Sequence, residues 1–349
     1  MDLQIALLLG QDGITNGAIY ALLALALVLA FAVTRVIFIP QGEFVAYGAL
    51  TLATLQTGRL PGTVWLLVIA GAFVAAIELV AAARRRSRRG LPAMLAWNLA
   101  YPLVLLAALK FVPLQNAPMP VQIALTLAIV VPLGPMLYRL AFQPLAEASV
   151  LVLLIVAVAV HLVMVGLGLL MFGAEGSRTP PFSDGRFELG GAMSGITVTA
   201  QTLWVIGCSI ALIVLLYLLF ERTLYGKALR ATAVNRLGAR LMGIPTALAG
   251  RLSFFLCALI GAFSGVLIAP ITTIYYETGF LIGLKGFVGA IIGGLASYPI
   301  AAVGAMLVGL LESYSSFYAS AYKEVIVFTL IIPVLLWRSL TTHHVEEEE

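Results

Sequence analysis

Few residues in this sequence could do chemistry, and those few sit in unusual places. Glu43, Glu78, Glu277, Lys285 and Glu312 lie inside or beside long apolar runs. Ionisable groups at membrane depth are costly, so each is a functional candidate by default. Glu43 stands in Pro40-Gln41-Gly42-Glu43-Phe44, where a short apolar run begins. Its carboxylate has two readings: a cap on a helix N-terminus, where the dipole favours an anion, or a working group in the membrane interior. Glu277 and Lys285 are expected near an outer face, where snorkelling makes their charge cheap. His161 is the one histidine outside the C-terminal tail, and it reads first as hydrogen-bonded to a neighbour. Cys208 and Cys257 lack metal-ligand spacing and read as small core residues. No Gly-x-x-x-x-Gly-Lys-Ser/Thr, His-Glu-x-x-His or Gly-x-Ser-x-Gly pattern occurs, so residue sets for nucleotide binding, zinc hydrolysis and serine-type hydrolysis are missing. No enzyme, cofactor or metal site is expected in this chain.

The elements that must carry these residues follow from composition. Of 349 residues, 62% are hydrophobic and 10% charged, where a soluble domain carries about 25% charge. A bilayer is therefore the main solvent. Long apolar runs fall at 14–33, 64–83, 91–112, 121–138, 150–172, 203–220, 252–268, 300–317 and 325–337, with shorter ones at 44–56 and 284–295. A crossing helix needs about 20 apolar residues. The two short runs are tilted spans or half-helices buried by neighbours. The fold class is an all-α polytopic membrane helix bundle of about 11 segments. The first run has no basic leader before it and reads as a retained span.

Basic residues set the orientation. With Arg84, Arg85, Arg86, Arg88 and Arg89 in the cytoplasm, eleven crossings put the N-terminus outside and the C-terminus inside. Fourteen Lys and Arg then lie inside and five outside (Arg59, Lys110, Arg178, Arg186 and Lys323), with Lys285 unassigned. Residues 173–202 form an outer loop and 221–251 an inner one. The tail 343–349 is a charged end. Gly-x-x-x-Gly occurs at Gly13/Gly17, Gly261/Gly265, Gly279/Gly283 and Gly289/Gly293. Such pairs let helix backbones approach closely, as static packing or as moving surfaces.

The inner loop is the most informative segment. From Tyr225 it has a helical pattern that stops at Gly243 and Pro245. Leu229, Ala233, Leu237 and Leu241 form an apolar strip, with Arg230, Arg236 and Arg240 off it. Such a helix either docks in a groove of another protein or lies on anionic lipid.

This loop resembles the cytoplasmic coupling loop of the LivH-type branched-chain amino acid permeases. The resemblance rests on Gly226, Ala228, Leu229, Arg230 and Ala231, then Ala239, Leu241, Met242, Gly243 and Ile244. Asn16-Gly17-x-x-Tyr20-Ala21-Leu22, Gln41-Gly42-Glu43-Phe44 and Gly286-Phe287-x-x-Ala290-x-x-Gly293-Gly294 are similar to the same family in the same order. There are two departures: Gln143 stands where the family has Arg, and residues 84–139 form an extra helical hairpin. The hairpin, rich in proline, is expected at the periphery of the bundle.

The resemblance implies a permease domain over 1–342 in the bacterial inner membrane, as one subunit of an ABC importer for branched-chain or related hydrophobic amino acids. It implies a paralogous permease subunit, two cytoplasmic P-loop ATPases that bind ATP and Mg, a periplasmic substrate-binding protein, and no nucleic acid. It implies ATPase coupling through Ala231, Ala233, Asn235, Leu237, Gly238, Ala239, Leu241, Met242 and Gly243. Asn16, Tyr20, Gln41, Glu43 and Lys285 are candidates for the translocation path. The alternative is an ion-coupled secondary transporter of small amides or carboxylates. Topology is checked with single cysteines in a background lacking the native two. An impermeant thiol reagent is expected to label Ser183→Cys from outside intact cells, and to reach Ser87→Cys only once the membrane is opened.

Overall fold

The computed structural model describes residues 3–85, 91–111, 114–189 and 196–341. Arg86, Ser87, Arg88 and Arg89, and the tail 343–349 with His343 and His344, lie outside the described residues. The helices are α1 (Leu3–Thr34), α2 (Gln41–Gln56), α3 (Gly62–Arg85), α4 (Leu91–Phe111), α5 (Met119–Leu145) and α6 (Val150–Phe172). A two-stranded antiparallel hairpin follows, β1 (Arg186–Leu189) with β2 (Ile196–Thr199). Then come α7 (Ala200–Arg222), α8 (Leu224–Val234), α9 (Arg236–Leu241), α10 (Thr246–Ile268), α11 (Thr278–Ile292), α12 (Tyr298–Tyr318) and α13 (Ser320–Trp337). Among the described residues nine helices are long and apolar enough to cross a membrane; α2 and α11 are shorter.

The bundle is built around α1. Its residues from Ala18 to Ala30 are buried on every side, which is why the sequence there has no polar face. It packs against α10, α11 and α12, and these together with α2 form the core. The short helix α2 has 16 residues, about 24 Å at 1.5 Å per residue. That is less than the roughly 30 Å of a hydrocarbon core. Its N-terminal end is covered by neighbours, as irregular backbone at membrane depth requires, and its C-terminal end leads into the exposed residues 57–60. An outer ring of α3, α4, α6, α7 and α13 exposes Trp65, Phe73, Val104, Leu162, Leu215 and Leu336. Apolar surface on that scale belongs against lipid.

Backbone contact at glycine holds the core. A Cβ on Gly17 would meet the α12 backbone at Met306, and one on Gly309 would strike the α1 backbone at Gly13 and Gly17. Gly42 of α2 stands in the same relation to Gly279 and Gly283 of α11. The Gly-x-x-x-Gly patterns are thus packing faces of the central helices.

Three expectations need correction. The hairpin 84–139 is peripheral only in its first arm. Its second arm, in α5, buries Gln122, Thr126, Gly134, Met136 and Tyr138. Tyr138 and Phe142 pack on Phe254 of α10 at 4.9 and 5.2 Å between ring centroids. The inner loop is two helices, not one. Asn235 takes an extended conformation and its side chain accepts from Gly238 N at 2.8 Å, because asparagine is a better N-cap than a helix interior residue. The apolar strip therefore splits, with Leu229 buried on α8 and Leu237 and Leu241 exposed on α9. The outer loop contains β1 and β2, where Phe187, Leu189, Ile196 and Val198 alternate with polar residues at the period of a strand.

Overfilling the α1 and α12 contact is expected to be severe. Gly309→Leu should lower resistance to denaturant by about 3 kcal/mol or more, at the upper end of overpacking costs. Gly166→Leu, at a site with open space around it, should be neutral in the same detergent-solubilised titration.

Candidate functional site

The ionisable residues at membrane depth are paired. Lys285 Nζ donates to Glu312 Oε1 at 2.6 Å and to Glu324 Oε1 at 3.2 Å. The Tyr20 hydroxyl donates to the other Glu312 oxygen at 2.6 Å, and the Lys285 ammonium lies 5.9 Å from the Tyr20 ring centroid. The Lys285 side chain is 7% exposed. It does not snorkel to an outer face; its charge is met by carboxylates from two other helices, and an unpaired charge there would be far costlier.

Glu43 belongs to a second group. The N-cap of α2 is Pro40 and no side chain caps it, so Glu43 is not the hydrogen-bonding cap. Its Oε1 lies 2.7 Å from His161 Nδ1. It still occupies the first turn of α2, where the dipole favours its charge. The His161 ring stacks on Phe280 of α11 at 4.4 Å, and Tyr47 donates to the Met164 carbonyl at 2.7 Å. These bonds tie the lipid-facing α6 to α2. Gln41 Nε2 donates to the Cys257 carbonyl at 3.0 Å, while Gln41 Oε1 and Glu43 Oε2 are buried without a partner.

The third group joins α3, α5 and α10. Glu78 Oε1 accepts from Arg139 at 2.6 Å and from Arg251 at 3.3 Å. Arg251 Nε also donates to Gln143 Oε1 at 3.4 Å. Glutamine at 143 thus supplies an acceptor where a third guanidinium would repel two others.

Two cavities lie at opposite ends of α1. One, of about 990 Å³, is lined by Asp12, Asn16, Arg178, Arg186, Glu312 and Lys323 among others. The other, of about 800 Å³, is apolar and lined by Leu25, Arg35, Phe220, Arg230 and Leu295 among others. Asp12 and Arg35 sit on one helix and its end, roughly 35 Å apart at 1.5 Å per residue. The candidate path residues therefore separate. Asn16, Tyr20 and Lys285 belong to the first cavity and its floor, and Gln41 and Glu43 to the start of α2.

The residues expected to meet an ATPase lie on α8, on α9 and in the turns beside them. Ala231, Asn235, Gly238, Ala239 and Met242 line a groove of about 450 Å³ between the two helices. Val234, Leu237, Leu241 and Met242 are exposed, with Gly243 in the turn after α9 at φ +80°. Ala233 faces the apolar cavity. Sequence reasoning noted Glu312 but left it out of the path residues, as it did Glu324, Arg178 and Thr179. Opposite charges at membrane depth must pair, and that rule applied to Lys285 would have pointed to Glu312.

The profile of the family described as "Branched-chain amino acid transport system / permease component" matches residues 91–335. The chain belongs to this permease family. It is 26% identical over 339 residues to the "High-affinity branched-chain amino acid transport system permease protein LivH" of Escherichia coli (strain K12), covering 93% of this chain and 91% of that one. It is 28% identical over 240 residues to the BraD permease protein of Pseudomonas aeruginosa, covering 67% and 78%. A probable LivH of Methanocaldococcus jannaschii is 30% identical over 213 residues, covering 56% and 66%. No solved structure matches the chain. As a permease of this family it is a multi-pass membrane protein.

Removing Lys285 tests the first ionic group. Lys285→Met leaves two carboxylates without their cation and is expected to cost about 3–5 kcal/mol by denaturant titration. Lys323→Met, at the cavity rim, should stay within about 0.5 kcal/mol.

Proposed function

We propose that this permease is the membrane-spanning subunit of an ABC importer in a bacterial inner membrane, carrying branched-chain or related hydrophobic amino acids. The cargo is that named for the relatives. A periplasmic binding protein delivers it, two cytoplasmic P-loop ATPases supply the free energy with ATP and Mg, and a paralogous permease completes the membrane pair. The chain itself makes no covalent chemistry and holds no cofactor.

One observation carries this reading beyond the family: the apolar residues of α8 and α9 that face outward at the end of the bundle. Val234 is 81% exposed, Leu241 80% and Met242 83%. Arg230, Arg236 and Arg240 lie on the same two helices, Arg230 paired with Glu221 and Arg240 with Glu147, and Asn235 caps the second helix where the two meet. An apolar ridge with a basic border is suited to a groove on a partner with acidic edges. The reading of an ion-coupled transporter is less well supported. Glu43, Glu78, Glu312 and Glu324 each have a basic partner that ties two helices together, which is a packing role for them.

The experiment is a bulky change in the coupling groove. A Cβ on Gly238 would stand 3.3 Å from Asn235 Cγ, so Gly238→Trp both fills the groove and presses on the cap. It is expected to weaken ATPase association about ten-fold and to lower transport and cargo-stimulated ATP hydrolysis together. Val345→Trp in the tail should do neither. Normal transport and ATPase co-purification by the Gly238 variant would count against this loop as the coupling element.

A further inference from the structure

We propose that the outer cavity is a receiving site for zwitterionic α-amino acids, with the ammonium group against Glu312 and the carboxylate against Arg178 and the Thr179 hydroxyl. The site would belong to the permease and rests on the transport reading above.

Charge in this cavity is segregated by depth. At the floor one lysine, Lys285, faces two glutamates, Glu312 and Glu324, which leaves that group one charge negative. At the rim three bases, Arg178, Arg186 and Lys323, face two acids, Asp12 and Asp184, which leaves the rim one charge positive. A buried excess charge is costly unless it is paired. A simple cation would satisfy the floor but leave the rim positive. A simple anion would be drawn to the rim and repelled by the floor. A zwitterion entering ammonium first matches both.

The hydrogen-bonding capacity agrees. Each Glu312 oxygen accepts one bond, from Lys285 or Tyr20, and a carboxylate oxygen can accept a second. Arg178 is held by its Nε donating to the Pro270 carbonyl at 3.0 Å, so the terminal nitrogens remain for a carboxylate, the geometry guanidinium favours. Thr179 is 4% exposed and lines the cavity, yet its hydroxyl has no partner. Buried hydroxyls are nearly always hydrogen-bonded, so this one awaits a group from the cavity. Leu9, Ile271 and Phe317 line the same space and would take an apolar side chain.

The test uses the full chain with its partner subunits in nanodiscs, with Cys208→Ala and a reporter cysteine at Ser316, an exposed cavity-lining position. Millimolar L-leucine is expected to slow maleimide labelling. The same concentration of 4-methylpentanoate, which lacks the ammonium, or isoamylamine, which lacks the carboxylate, should not. Glu312→Gln keeps Lys285 paired with Glu324 and should raise the leucine concentration for half-protection about ten-fold or more. Thr179→Val, which leaves the ionic group intact, should raise it roughly three-fold. Equal slowing by 4-methylpentanoate, unchanged protection in both variants, or no slowing by leucine would each overturn the site. Leucine uptake by cells carrying the same importer is read separately. Protection without uptake overturns the transport reading alone, and uptake without protection overturns the site alone.

Discussion

The arrangement depends on how closely α1 and α12 approach. Gly13 and Gly17 on one helix and Gly309 on the other leave no room for a single Cβ. Tyr20 follows Gly17 by three residues and Glu312 follows Gly309 by three, close to one helical turn in each case. The helices run antiparallel, so these steps lead apart, and it is the long tyrosine side chain that reaches back across the seam to place its hydroxyl 2.6 Å from the carboxylate. The same logic operates between α2 and α11. Gly42 lies against Gly279 and Gly283, and the neighbouring positions are Glu43, Phe280 and Lys285. Thus the contacts that exclude side chains also fix where the charged side chains meet. A membrane gives helices little hydrophobic reason to associate, so small residues and ion pairs must act together.

The polar groups divide the molecule along its long axis. The Lys285 group lies at the floor of the outer cavity, and the Glu78 group joins three helices near the basic inner loop. Between the outer and inner cavities stands the apolar length of α1, packed on the two short helices α2 and α11. α2 is buried along most of its length, whereas α11 keeps Leu281 exposed. Their polar anchors are Glu43 to His161 and Lys285 to Glu312. The polar cavity at one end of α1 and the groove of α8 and α9 at the other are thus held by separate sets of contacts.

Much of this was legible from residue types. The apolar runs located every long helix, because helix length in a bilayer is set by thickness, but missed the first eleven residues of α1 and the last seven of α5. The Gly-x-x-x-Gly pairs marked the packing faces of α1, α10 and α11. The pairing of charges was not legible, since Tyr20 and Glu312 are 292 residues apart in the chain and Glu43 and His161 are 118 apart. Spacing within one helix says nothing about such partners. The break at Asn235 was readable in principle, because asparagine before a helical turn is a capping signal. It was overridden by an apolar periodicity that runs across it. The buried face of α5 was obscured by its prolines, although Gln122 and Thr126 stand one turn apart, polar residues that lipid would not favour. The strands in the outer loop are too short for their alternation to stand out.

The burial of α1 also bears on how the protein is made. Residues 18–30 of α1 are covered mainly by α10, α11 and α12, which are made about 200 residues or more after it. Until those helices emerge, the glycine faces and Tyr20 of α1 have only lipid or the insertion machinery beside them. Loop closure across nearly the whole chain is required before the core exists. A nascent chain arrested before α10 would thus be a set of inserted but unassembled helices, open to membrane quality control. Assembly of the core is in that sense decided by α10, α11 and α12.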